Sequence, residues 1–161
     1  MDGVGGVIVE TEAYDADDPA SHSFGGPRAG NLPMFGPAGR AYVYRIYGLH
    51  WCLNVVCDAA RPGSAVLIRA LEPTLGLDRM RERRPAVPDR HLARGPGRLC
   101  QALGVTGVFN GADACAPPFS WSPPATPASV VTGTRIGIRR GAETPWRFGL
   151  RGSPWLSRPF P

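Results

Sequence analysis

The 161 residues include no lysine, three histidines, and four cysteines with no Cys-x-x-Cys pair. Zinc sites are built from closely spaced Cys and His ligands. His22, His50 and His91 are too scattered for that pattern, so neither a metal nor a cofactor is expected. No uninterrupted apolar run approaches the roughly 20 residues that cross a bilayer, which argues against a membrane protein. A composition of 43% hydrophobic and 19% charged residues argues equally against a disordered chain. The opening stretch Met1 to Gly6 has neither the basic region nor the apolar core of an export signal. Cys52, Cys57 and Cys100 sit in apolar surroundings that suit free thiols, so a reducing, cytoplasmic location is expected.

What is abundant is equally informative. Eighteen prolines and 21 glycines, spread without a repeat, predict short strands and tight turns with few helices. The length suits one domain. All 18 basic residues are arginine, and six of the 13 acids precede the first of them, Arg28. The rest of the chain carries 18 arginines against 7 acids, the charge footprint of a polyanion binder, and a nucleic acid is the leading candidate partner.

Side-chain alternation makes Gly6 to Tyr14 a strand, with Ile8, Glu10, Glu12 and Tyr14 on one face and Val7, Val9, Thr11 and Ala13 on the other. Asp15 to Gly39, rich in Asp, Pro, Gly and Ser, is too long for an idle connection and is expected to border a cleft. Ala41 to Ile46 and Trp51 to Cys57 read as a β-hairpin turning at Gly48, and its tip is unusually bulky for a solvent-facing turn. Ala65 to Leu71 reads as another strand. Thr74 to Arg84 reads as a short helix capped by Thr74, and Arg98 to Leu103 as a second stopped by Gly104. Ser129 to Gly137 and Trp146 to Arg151 look like closing strands. The fold class expected is α+β: one domain with a mixed, largely antiparallel curved sheet, a protruding hairpin and a few short helices.

Glu10 and Glu12 would stand about 6 to 7 Å apart on a regular strand, a spacing compatible with glycosidic-bond hydrolysis by an acid and a base. The plainer reading leaves both acids solvated or pairs them with arginines. Tyr14, Tyr44 and His22 are flat side chains that could sandwich a planar ring, and in a nucleic-acid setting that ring is a base. Asn54 interrupts an apolar run; it either satisfies neighbouring backbone or reads base edges.

The strings VETEAY, His22-Ser23, Met34-Phe35, YVYRIYGLHWCLN, LIRALEP, GPGRLCQALG and RGSPW occur in order from near the start almost to the C-terminus. Together they resemble the alkyladenine (3-methyladenine) DNA glycosylase family. The resemblance implies a monomeric base-excision repair enzyme that extrudes alkylated or deaminated purines from double-stranded DNA and cuts the N-glycosidic bond. It implies that Glu12 activates the water, with Arg69 near the lesion phosphate and the water site. It further implies that Tyr14, His22 and Tyr44 clasp the base, that Asn54 opposes the exocyclic amine of guanine, and that Leu67 is a pocket neighbour. Tyr47 would be the wedge that fills the gap in the stack, flanked by Leu49 and His50, and Arg28 and Arg98 would run along the backbone. Glu10 receives no role. Family members carry a further helix and strand ahead of the VETEAY strand, so this chain is expected to be shortened at its N-terminus. A lesion-binding module without turnover, and a carbohydrate hydrolase using Glu10 and Glu12, are the competing readings.

Overall fold

The computed structural model of the chain describes residues 3–161. Met1 and Asp2, which open the stretch read above as lacking an export signal, lie outside the described residues. Six strands form one sheet: β1 (Gly5–Tyr14), β2 (Ala41–Ile46), β3 (His50–Val56), β4 (Ala65–Leu75), β5 (Val130–Gly133) and β6 (Arg147–Leu150). Their spatial order is β2-β3-β4-β1-β6-β5, and every pairing is antiparallel. Two short helices accompany the sheet, α1 (Leu77–Arg83) and α2 (Pro96–Leu103), with single 3-10 turns at Leu32–Phe35, Asp89–His91 and Gly107–Phe109. The α+β class and the short helices are as expected, while the sheet is wholly antiparallel rather than mixed. No helix among the described residues is long and apolar enough to cross a membrane.

The sheet has two unlike faces. Ala41, Val43, Leu53, Ile68 and Leu71 point toward α1 and α2, where they form the main core with Met80, Leu92, Leu99 and Leu103. The opposite face holds a smaller cluster of Met34, Tyr42, Val56 and Ala65, with Phe35 and Tyr44 against it. Strand alternation produces this division: residues two apart share a face, so the apolar set and the aromatic set segregate.

Three expectations need correction. Thr74 does not cap a helix. β4 runs on to Leu75, and α1 begins only after Gly76, whose φ of 69° is left-handed. A Cβ there would stand 2.3 Å from the carbonyl oxygen of Gly3, so glycine alone fits the corner. The closing strands are also shorter than read: only Val130–Gly133 and Arg147–Leu150 pair, because the chain beyond Gly133 leaves the sheet to wrap the end of β1. The third correction concerns Ile8, which does not share a face with Glu10 but packs on the helix side with Leu71, its partner across the strands. The pairing shifts by one residue between Ile8 and Glu10 and back again between Glu10 and Thr11. Val9 in β1 and Arg69 in β4 are the unpaired residues of these two compensating bulges. A bulge turns a side chain out of strict alternation, and this pair delivers Arg69 to the face that carries Glu10 and Glu12.

Candidate active site

Cross-strand register assembles the polar face into a row. Tyr42 pairs with Asn54, Asn54 with Leu67, Leu67 with Glu12, and Glu12 with Arg147, one residue from each of five neighbouring strands. Residues opposite one another project to the same side. Tyr14 and Tyr44 stand on that side too, three strand spacings apart, which is roughly 14 Å between backbones. The small or apolar residues Cys52, Ala65 and Leu67 floor the recess between them, and all three are buried.

The Glu12 side chain is 0% exposed. Its Oε2 accepts from the Tyr14 hydroxyl at 2.8 Å, and its Oε1 accepts from the backbone N–H of Ile136 at 2.8 Å. Nη1 of Arg69 lies 3.2 Å from Oε1. A carboxylate offers about four acceptor positions: one on each oxygen takes a hydrogen bond, the Arg69 ion pair crowds the second on Oε1, and the second on Oε2 stays free. Glu10 is closed by comparison. Its Oε1 accepts from Nε of Arg69 at 3.1 Å, Nε of Arg147 at 2.8 Å and the Ser157 hydroxyl at 2.7 Å, and Oε2 accepts from the Ser157 N–H. A scheme in which both glutamates act on one bond therefore loses its second acid.

Of the three flat residues singled out in the sequence, two are in contact. His22 and Tyr44 touch, with ring centroids 4.4 Å apart, so they make a single wall. Tyr42 backs that wall, stacked on Tyr44 at 5.4 Å, and its hydroxyl meets Nδ1 of His22 at 2.8 Å. Tyr14 stands on β1, on the far side of the recess. Burial pushes the Tyr42 hydroxyl up to about 12 and the Tyr14 and Tyr44 hydroxyls well above the usual tyrosine range, with Glu12 reinforcing the shift at Tyr14 and Cys52 at Tyr44. These phenols stay protonated, so Tyr14 is a donor to Glu12. Burial likewise lowers His22 and raises the Cys52 thiol. Asn31, itself buried, donates from Nδ2 to the carbonyls of His22 and Gly26, pinning the loop that carries His22.

Asn54 is buried and donates from Nδ2 to the carbonyl of Tyr42 at 3.1 Å, which answers one of its two readings and leaves it on the floor of the recess. Tyr47 is 81% exposed at the hairpin tip, with Leu49 at 72% and His50 also exposed. Gly48 does not make the turn alone: Tyr47 itself has a φ of 53° and Gly48 one of 67°. Successive positive φ values give the mirror-image turn that fits a twisted hairpin. For a tyrosine the conformation costs about 1 kcal/mol or more. Arg28 is exposed in the His22 loop. Arg98 is exposed on α2, whose Gly97 abuts the ring of His50, so this arginine flanks the hairpin.

Residues of this face that sequence reasoning missed are Tyr42 and Ile136. Tyr42 could have been found from its spacing, since Tyr42 and Tyr44 must share a face. Nothing local marks Ile136, which acts through its backbone. Two open hollows elsewhere, about 570 Å³ beside Gly76 and about 420 Å³ between Arg94 and Phe160, bring no buried carboxylate together with aromatic rings. Among the described residues, no three His, Cys, Asp or Glu side chains converge as metal ligands.

The face thus carries a buried carboxylate bonded by a tyrosine hydroxyl and a backbone amide and paired with an arginine, and the hairpin tip carries an exposed tyrosine at positive φ. The methylpurine-DNA glycosylase family model matches residues 1–154, and the chain belongs to that family of monofunctional DNA-repair enzymes. Relatives agree. A protein of Nitrosospira multiformis is 60% identical over 160 residues, covering 99% of this chain and 83% of the relative. One of Rhodopseudomonas palustris strain BisB18 is 58% identical, covering 99% and 80%, and one of Agrobacterium fabrum is 55% identical, covering 97% and 79%. All three carry the provisional name 3-methyladenine DNA glycosylase.

Proposed function

We propose that this enzyme removes alkylated or deaminated purines, of the 3-methyladenine, hypoxanthine and ethenoadenine class, from duplex DNA after swinging the damaged nucleotide into the recess. The observation that carries this reading is Glu12: a buried carboxylate with three fixed partners and one free acceptor position, on the face lined by Tyr14, Tyr44 and His22. Glu12 is sealed from bulk solvent, so the attacking water enters with the extruded nucleotide. Glu12 takes the proton of that water while its oxygen bonds to C1′ of the deoxyribose. The C1′–N bond breaks, and its electron pair leaves with the purine.

An alkylated purine already carries positive charge and departs neutral, so a carboxylate-held water suffices. Hypoxanthine leaves as an anion unless a ring nitrogen is protonated or hydrogen-bonded, and is the harder substrate. Arg69, between the carboxylates, holds Glu12 and lies where a sugar phosphate would approach. No lysine side chain exists to form an imine with the sugar, so the product is an abasic site in an unbroken strand. Extruding a base costs a few kcal/mol. Tyr47, prestrained and exposed, fills the vacated gap, with Leu49 and His50 beside it, while stacking on the Tyr44 wall repays the extruded base. Arg28 and Arg98 contact phosphates and contribute affinity without sequence preference.

The test is release of free base from a methylated duplex by the wild type and by Glu12→Gln, each with binding measured in parallel. The reading stands if the wild type releases base and Glu12→Gln binds the duplex but does not release it. A wild type that binds lesion duplex without turnover would make the protein a binding module.

A further inference from the structure

Arg135 is a buried, many-bonded arginine that the scheme above leaves without a task. Its side chain is 0% exposed and its ion-pair partner, Asp18, 2%. Nη2 donates to Oδ1 of Asp18 at 2.9 Å, and Nη1 donates to Oδ2 of the same carboxylate, completing a two-pronged pair. The same two nitrogens reach backbone: Nη1 donates to the carbonyl of Ala13 at 3.0 Å and Nη2 to that of Gly141 at 3.1 Å. The guanidinium carbon also lies over two rings, 4.7 Å from the centroid of Tyr14 and 5.4 Å from that of Trp146. Its Nε has no hydrogen-bond acceptor.

The position of this group matters more than its strength. The two non-arginine donors to Glu12 are the Tyr14 hydroxyl and the Ile136 N–H. Arg135 packs on the ring of the first and is the chain neighbour of the second, and it also binds the carbonyl of Ala13, the residue between Glu12 and Tyr14. A buried, two-pronged ion pair costs desolvation and adds little net stability compared with apolar packing. Its planar fork does fix orientation, which a lysine cannot reproduce.

We infer that Arg135, locked by Asp18, is a positioning residue for base release: it holds the Tyr14 hydroxyl and the Ile136 amide so that the free acceptor position on Glu12 faces the water. The inference rests on Glu12 being the water-activating group, and it assigns Arg135 no contact with DNA. Misplacing a reacting group by an ångström can cost about 100-fold in rate. Arg135→Met, which keeps the bulk and removes every hydrogen bond, should therefore slow single-turnover release of base from a methylated duplex by about 30-fold, within that range. Its dissociation constant for a duplex containing a tetrahydrofuran abasic-site analogue should stay within about threefold of wild type, since no DNA contact is removed.

Arg135→Lys keeps the charge opposite Asp18 and should recover part of the rate, remaining about tenfold slow because the fork is gone. Rates are read at a temperature where thermal melts show each variant folded. If Arg135→Met does not fold, the lysine variant decides. Wild-type release by a folded Arg135→Lys would overturn the inference, as would a folded Arg135→Met that loses rate and binding in equal measure. Glu12→Gln, run alongside, separates the two claims. If that variant is inactive while both Arg135 variants release base normally, only the positioning role fails; if Glu12→Gln still releases base, the reading of Glu12 itself is lost.

Discussion

Glu10 and Glu12 sit two residues apart on one strand and one sheet face, and both side chains are sealed from solvent, yet their surroundings suit opposite tasks. Around Glu10 the C-terminal segment closes down: Arg69, Arg147 and both polar atoms of Ser157 occupy the carboxylate, and Phe160 caps the Arg147 guanidinium at 3.9 Å. That region is a clamp that ties the last 15 residues to the central strand. Around Glu12 two of the three partners are neutral, one acceptor position stays free, and the neighbours are rings. A buried carboxylate becomes structural when cations and chain saturate it, and chemical when neutral donors aim it and leave a lone pair unspent.

The sharpest way to break this contrast is to neutralise each acid in turn. Glu12→Gln should lower single-turnover base release by about 1,000-fold, within the range of general-base catalysis, while its urea midpoint stays near wild type. Glu10→Gln should do the reverse. Removing one member of a buried charge cluster leaves Arg147 without its carboxylate and Arg69 with Glu12 alone, and should cost about 3 kcal/mol of stability, with activity kept in whatever fraction is folded. Equal losses in both assays for both variants would erase the distinction.

A smaller effect concerns the hairpin, which neither glutamate touches. Tyr47→Ala should weaken binding to lesion duplex by about tenfold, the worth of a stacked ring, and binding to the corresponding single strand much less. Fluorescence anisotropy on the two substrates reads the difference, and equal weakening would show that Tyr47 is no wedge. The smallest effect belongs to the aromatic wall. Burial lowers His22 below its ordinary value of 6.5, so as pH falls through about 6.5 the unfolded chain takes up the proton first. Stability should therefore drop between about pH 6.5 and the lower folded value and then level off. The His22 ring is partly open to solvent, so the drop should be modest. Urea midpoints at pH 7.5 and 5.5 check it, and in His22→Gln this component should vanish.

Much of the molecule was legible in the chain. The first hairpin strand, the end of the second helix at Gly104 and the shared face of Glu10, Glu12 and Tyr14 all followed from local alternation and turn chemistry, while the second hairpin strand lies one residue earlier than read, at His50–Val56 instead of Trp51 to Cys57. Thr74 misled because a capping residue competes with strand pairing, and pairing with β1 won as far as Leu75. Ile8 misled because a bulge is invisible in a strict two-residue repeat. That His22 and Tyr44 touch, at 4.4 Å between centroids, is a contact between a loop and a strand that no local pattern announces.

The sequence by itself determined the family, the charge surplus behind the acidic N-terminal stretch, and which side chains alternate to which face, because each depends on composition or on neighbours a few residues away. Tertiary structure alone decided that Arg69 comes between two glutamates, Glu10 being 59 residues from it in the chain, and that an amide 124 residues away aims Glu12. Those contacts depend on strand register and on how a distant loop closes over the sheet. Both are fixed by burying the whole core at once, and no short window of sequence contains that information.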